Sequence, residues 1–307
     1  MDDFVISIVI TTYHRPERIV IAVENALAQN CNKEILVVDD NGRNTEYQKE
    51  TERVLVPYLN RITYLVNDVN HGPSYSRNQG INQATGKYIT FYDDDDEIHP
   101  DKLSHQAKLL EVKGEQYSCC YCDYTKILGE NNYHTNGEHG EGNLYPYMLG
   151  RTFYIGSGSN LLVRASVIKE VGGYNETLRR FEDYEFISRI TEHYLVAYLP
   201  KDLMTIHYEV RDNPDLHNVS YEKLVSDDEK YFAVIKEKLE VLPEQKRTMI
   251  LKTAALERWR YALSRKKTAD AIQNMKQNGV SLILFVRYIC YLLDRVIRKK
   301  SYGFKAY

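Results

Sequence analysis

The 307-residue chain is poor in the features that mark fibrous, disordered or exported proteins. It has 8 prolines and 16 glycines, too few and too scattered for a collagen-like or low-complexity reading. The N-terminus opens on Met1-Asp2-Asp3 instead of basic residues, and its apolar run stops at Ile10. A secretory signal needs a basic start and a longer apolar core, so the expectation is a cytoplasmic body. Of five cysteines, three crowd into Ser118-Cys119-Cys120-Tyr121-Cys122, without a second Cys or His pair at zinc spacing. That segment reads as a buried strand, and an odd cysteine count fits reduced thiols. No internal repeat is visible. Hydrophobic residues make up 43% and charged residues 27%, enough apolar material for a core, which excludes a disordered tail protein.

Net charge is also scarce, at -3, but this sum hides an uneven chain. Residues 1–220 carry 21 basic against 33 acidic side chains, and residues 221–307 carry 19 against 10. An acidic body therefore bears a basic tail. The expected division is a catalytic domain over 1–220 and a helical, basic extension over 221–307.

Within the body, Val5–Thr11 and Glu34–Asp39 read as buried strands, and Arg61–Val66 and Lys87–Tyr92 as a third and a fourth strand. Helical stretches lie between them: one opening at Pro16, a polar one reaching about Val56, and one over Ser74–Thr85. Strand and helix alternate, so the expected fold class is α/β with a mostly parallel sheet. Gly129–Gly150 reads as a long polar loop, Ile155–Arg164 as a turn entering a strand, Ser166–Val171 as a short helix closed by Gly172-Gly173, and Phe181–Tyr194 as a helix.

Parallel sheets bind ligands beyond the carboxyl ends of their strands. Three strands here end in polar groups: Thr11-Thr12, Asp39-Asp40 and the run Asp93–Asp96. In an extended segment Asp93 and Asp95 would share one face and offer two hard oxygen ligands to Mg²⁺ or Mn²⁺, with a substrate phosphate supplying more. Acidic runs are more often solvated loops, but this one continues directly from a buried strand. Arg77 lies just ahead of that strand, as a phosphate contact, an anchor for the carboxylates or an ordinary surface arginine. Asp40 is placed either to accept hydrogen bonds from a base or ribose or to cap a turn.

Six segments occur in order: Ile6–Arg15 (ISIVITTYHR), Glu34–Asn41 (EILVVDDN), Asn70–Gly80 (NHGPSYSRNQG), Gly86–Pro100 (GKYITFYDDDDEIHP), Val171–Glu176 (VGGYNE) and Glu182–Arg189 (EDYEFISR). Together they resemble the family 2 glycosyltransferases over about residues 4–220. That resemblance implies the GT-A fold and an inverting enzyme using a nucleotide-sugar donor, usually of uridine. It implies Asp95 and Asp93 as ligands of Mn²⁺ or Mg²⁺, with Thr11, Asp40, Arg77, Asp93 and Asp94 on the donor. It implies Asp183 as general base and Glu182 beside the acceptor. The family's common Trp in the acceptor helix is replaced by Tyr184 or Phe186, and a late His that can approach the metal could be His207 or His217. The reaction implied is sugar transfer to a saccharide or lipid-linked acceptor. A nucleotidyltransferase would want a Gly-rich loop after the first strand, which Thr11-Thr12-Tyr13-His14-Arg15 lacks. A non-catalytic nucleotide-sugar-binding subunit would have no use for a base at Asp183.

In the tail, residues 246–305 carry 15 basic against 3 acidic side chains. Val280–Val296 is apolar but broken by Arg287, Asp294 and Arg295, which argues against a spanning helix. It suits either an amphipathic helix on an anionic membrane surface or a helix packed on the body. The absence of a nucleic-acid-binding motif and the acidic body argue against nucleic acid as a partner.

Overall fold

The computed structural model describes residues 4–129, 133–207 and 219–305. At its centre lies β1 (Ile6–Thr12), flanked in parallel by β2 (Lys33–Asp39) and β4 (Tyr88–Asp93), with β3 (Thr63–Val66) outside β2. A central strand is covered on both faces, which is why β1 reads as an unbroken apolar run. Ile6, Ile8 and Ile10 pack with Ile19, Val23 and Ala26 of α1 (Pro16–Leu27) and Leu103 and Ala107 of α4 (Lys102–Lys113). Val9, Leu36, Ile89 and Phe91 point the other way, onto Ile168 of α6 (Ala165–Val171) and Phe186 and Ile190 of α7 (Glu182–His193). α2 (Glu46–Leu55) links β2 to β3, and α3 (Pro73–Gln83) precedes β4. At Gly80 of α3 a Cβ would lie 2.3 Å from Val9 Cγ1, so only glycine allows that helix its approach to β1.

Beyond β4 the sheet becomes mixed. β8 (Leu162–Arg164) pairs antiparallel with β4 and with β6 (Tyr117–Ile127), and β9 (Leu195–His207) runs parallel to β6 and antiparallel to β5 (Asp96–Ile98). The cysteine-rich segment is the buried start of β6, with Cys119, Cys120 and Cys122 as free thiols.

The structure departs from the expected loop at 129–150. That segment holds β7 (Tyr133–Asn136) and α5 (Tyr145–Leu149). Its local pattern is polar because β7 is fixed by β6 and by β10 (Lys300–Ser301), a strand contributed from the far end of the sequence.

The C-terminal part comprises α8 (Tyr221–Val234), α9 (Lys236–Glu240), α10 (Glu244–Ser264), α11 (Thr268–Gln277) and α12 (Leu282–Arg298). It packs on the body: Tyr231, Ile235 and Ile250 share a core with Leu149 and Leu178. Asp228, buried, accepts from Arg151 and from Arg258, and Arg151 lies over the rings of Phe181 and Tyr231. One face of α12 is packed, as the second of the two expectations has it. Tyr288 and Tyr291 are buried against Phe304, while Leu282, Ile283, Val286, Leu293, Val296 and Ile297 are exposed, Ile297 by 79%. No helix among the described residues is long and apolar enough to cross a membrane.

Candidate active site

The carboxyl ends of β1, β2 and β4 meet at a cavity of about 480 Å³, whose walls include Thr11, Arg15, Asp40, Arg77, Asp95 and Glu182. The acidic run is not extended there, contrary to expectation. Asp93 ends β4, Asp94 and Asp95 form a turn, and Asp96 starts β5. A turn relieves four adjacent like charges by pointing them at different partners. Asp94 is buried, accepts from Thr12 Oγ1 at 3.2 Å and pairs with Arg15 Nη1 at 2.6 Å. The same Arg15 nitrogen reaches Asp95 at 3.2 Å. Asp96 turns away and accepts from Ser157 Oγ at 2.7 Å. Burial pushes the Asp94 carboxyl up to about 6 although Arg15 opposes it, and burial with the neighbouring Asp93 raises Asp96. Asp93, Asp94 and Asp95 all still line the cavity.

Asp40 is fully committed. Its Oδ1 accepts from Asn67 Nδ2 at 2.7 Å and the His71 amide at 3.0 Å, and its Oδ2 from the Gly72 amide at 2.7 Å and Asn70 Nδ2 at 3.1 Å. Four donors use the lone pairs of both oxygens, so Asp40 fixes the loop that launches α3. Gly72, at φ +94°, makes the turn into that helix.

Arg77 projects from α3 into the buried centre of the site. Its Nη2 donates to Asp93 Oδ1 at 3.0 Å, and its Nη1 lies 3.3 Å from Glu182 Oε1 and 3.5 Å from Asp183 Oδ1. Tyr174 supplies a ring 5.1 Å from the guanidinium. Burial would weaken this cation, but the carboxylates of Asp183, Asp93 and Glu182 outweigh it and raise its pKa. Glu182 and Asp183 open α7 beneath Phe181, whose left-handed backbone (φ 65°) sets the entry angle. Their charges suit a helix N-terminus.

These two neighbours face different spaces. Glu182 lines the first cavity, whereas Asp183 lines a second one of about 240 Å³, together with Tyr154, Tyr184 and Arg295. Asp183 Oδ1 is enclosed and makes no hydrogen bond among the described residues, while the side chain as a whole stays 36% exposed. Burial raises its carboxyl, Arg77 pulls it back, and Glu182 and Asp93 push it up again. With a third of the side chain open, that rise is smaller than full burial would give. Tyr184 is at this cavity, whereas Phe186 is in the core, stacked on Tyr174. His207 sits 3.0 Å from Glu97, and His217 lies outside the described residues.

Sequence reasoning missed Arg15 and Arg179, which also line the first cavity. The need of four carboxylates for cations was a usable signal for Arg15, three residues past the end of β1. Arg295 came without any local signal.

A family model, "Glycosyl transferase family 2", matches residues 7–172, more than half of the chain. The chain belongs to that family. Among curated relatives, the succinoglycan biosynthesis protein ExoO of Rhizobium meliloti is 30% identical over 129 residues, 41% of this chain and 35% of that one. The first relatives matched are Rickettsia glycosyltransferases, and the chain spans at most 56% of their length. Among solved structures, S. aureus TarS in complex with UDP-GlcNAc shares the fold at a TM-score of 0.65 and 16% identity, over 89% of this chain and 79% of that one. The mannosyltransferase PcManGT of Pyrobaculum calidifontis, in complex with GDP-Man and Mn²⁺, does so at 0.53 and 14%, over 91% and 88%. The curled α/β sheet flanked by helices is thus the GT-A fold.

No group of three or more His, Cys, Asp or Glu side chains among the described residues forms a ready-made metal cage. Asp93 and Asp95 nevertheless present hard oxygens to one cavity beside Arg15 and Arg77. Such a donor set fits an Mg²⁺ or Mn²⁺ ion that takes its other ligands from phosphate and water.

Proposed function

We propose that this family 2 enzyme is an inverting glycosyltransferase that draws on a nucleoside-diphosphate sugar and works in polysaccharide assembly, on a saccharide or lipid-linked acceptor. The observation that carries the reading is the bridge made by Arg77, which contacts Asp93 on the donor side and lies 3.5 Å from Asp183 on the other. Inversion by one displacement needs a base on the face of the sugar opposite the leaving group. Two adjoining cavities with Arg77 between their carboxylates suit that requirement. Domain 1–220 would hold the donor and base, and 221–307 would complete the second cavity.

In this mechanism the nucleotide occupies the first cavity, with Thr11 and the loop fixed by Asp40 around its base and ribose. Neighbours in complex with UDP-GlcNAc and with GDP-Man leave the choice of base to experiment, with uridine favoured by the family resemblance. Asp93 and Asp95 would hold Mn²⁺ or Mg²⁺, which when bound neutralises charge on the leaving diphosphate. Asp94, tied to Thr12 and Arg15, holds the turn that presents them. Asp183 takes the proton of the acceptor hydroxyl while its oxygen bonds to the anomeric carbon and the bond to the diphosphate breaks. Its Oδ1 is enclosed 3.5 Å from Arg77, and the 36% of the side chain left exposed is what an acceptor hydroxyl could reach.

The exposed apolar ridge of α12, followed by Arg298, Lys299 and Lys300, would rest on an anionic membrane surface from the cytoplasmic side.

The test is nucleotide binding and turnover with UDP- and GDP-sugars plus Mn²⁺, for the wild type, Asp183→Asn and Asp95→Asn. Asp183→Asn should bind nucleotide normally and turn over at least about 100-fold more slowly, the usual worth of a general base. Asp95→Asn should lose both. A chain that binds no nucleotide sugar, or variants that stay fully active, would refute the reading.

A further inference from the structure

Among the described residues, Arg15, Arg77 and Arg179 bring guanidiniums to the first cavity, and they are not equally engaged. Arg15 is met by Asp94 and Asp95, and Arg77 by Asp93, Glu182 and Asp183. Arg179 makes no hydrogen bond or ion pair among the described residues, and it is exposed. It is nonetheless seated. Gly72 turns at φ +94° without a side chain, and the guanidinium fills the notch: a Cβ there would lie 2.3 Å from Arg179 Nη1 and 3.2 Å from its Cζ. The loop beneath it is the one that Asp40 fixes through the His71 and Gly72 amides. The chain that carries it is anchored by Leu178, buried with Leu149 and Tyr231. The charge of Arg179 therefore has a defined place between the donor loop and the start of α7, with no carboxylate bound to it.

The rest of that wall is anionic. Asp40, Asp93, Asp94, Asp95 and Glu182 outnumber Arg15 and Arg77, and a nucleoside diphosphate has the same sign of charge as this majority. A divalent ion on Asp93 and Asp95 would offset part of the repulsion. Arg179 is the guanidinium of this lining whose charge no protein carboxylate has already taken up.

We propose that Arg179 is a donor-binding residue that grips an oxyanion of the nucleotide sugar, either on its diphosphate or as a carboxylate on the sugar itself. The proposal rests on the donor lying in the first cavity. A guanidinium offers paired N–H donors to either group, and it is hydrated weakly enough to exchange water for an anion.

The test compares the full-length wild type with Arg179→Gln and Arg179→Lys, each with Mn²⁺. The probes are uridine, UDP, UDP-glucose and UDP-glucuronate, replaced by guanosine, GDP, GDP-mannose and GDP-mannuronate if the wild type prefers GDP to UDP. Diphosphates are titrated calorimetrically, and the weaker nucleoside is followed by ligand-observed NMR. A phosphate contact predicts that Arg179→Gln binds the diphosphate and both its sugars about tenfold more weakly, the worth of one charge-assisted hydrogen bond, with nucleoside affinity unchanged. A carboxylate contact predicts the same loss for the uronate alone. Arg179→Lys should recover part of either loss, since it keeps the charge and gives up the fork. If Arg179→Gln binds all four probes like the wild type, the proposal is wrong. If nucleoside and diphosphate weaken in parallel, Arg179 merely props the loop at Gly72, and the proposal is equally wrong. A wild type that binds neither UDP nor GDP would instead strike the donor reading.

Discussion

Asp40 and Asp183 show what separates two buried-site carboxylates: one has spent its lone pairs on four donors, and the other retains an oxygen with no hydrogen bond. A base must be unprotonated, and burial, Glu182 and Asp93 raise the Asp183 carboxyl against the pull of Arg77. Turnover should therefore fall on acidification at a higher pH than an ordinary carboxylate, near 4, would dictate. A kcat–pH profile checks this, and one flat down to about pH 4 would contradict it. Arg77 faces three carboxylates with its own side chain only 7% exposed. Arg77→Met should cost about 2–3 kcal/mol in urea unfolding, the low side of the range for a broken buried pair because Asp93 and Asp183 open to the cleft. Arg77→Lys should recover part of it. Strand-end logic pointed to Asp93–Asp95 from the sequence, and Arg77 was singled out by lying just ahead of that strand. That logic could not tell that Asp94 would turn inward, because that depends on Arg15 and Thr12 being brought opposite it.

At the scale of elements, the βα alternation from β1 to β4 was legible because β1, β2 and β4 are buried parallel strands with their own apolar signature, and even the outer strand β3 keeps a short one. β7, β9 and β10 were not, since their stability comes from partners distant in sequence: Thr135 pairs with Thr125 on one side and Lys300 on the other. The fit of α3 on β1 provides a test. Gly80→Ala improves helix propensity by about 1 kcal/mol. The added methyl would nonetheless press on the branched, stiff side chain of Val9. The net outcome expected is a loss of about 1–2 kcal/mol, read from denaturant midpoints. Val9→Ala in the same chain should make Gly80→Ala neutral or favourable, whereas additive losses would mean that the contact is not the cause.

For the whole molecule, the asymmetry between an acidic body and a basic tail was visible as a count, but its meaning depends on how the tail folds back. Glu138, buried, accepts from the Gly303 amide at 2.7 Å and from Lys305. Ending the chain at residue 298 would strand that carboxylate and remove β10. The expected cost is about 3 kcal/mol, with nucleotide binding retained, measured by thermal unfolding and titration. The ridge of α12 predicts co-flotation with anionic liposomes that is lost on Leu293→Glu with Ile297→Glu; flotation unaffected by both changes would remove the membrane role.

The last residue lining the first cavity is Glu182, and the last lining its neighbour is Ser301. During synthesis the two spaces therefore mature at different times. On the ribosome every residue lining the first cavity emerges ahead of α8 to α12, and the second cavity waits for the final strand. A product interrupted before α12 would carry every lining residue of the first cavity and lack Arg295 and Ser301 of the second.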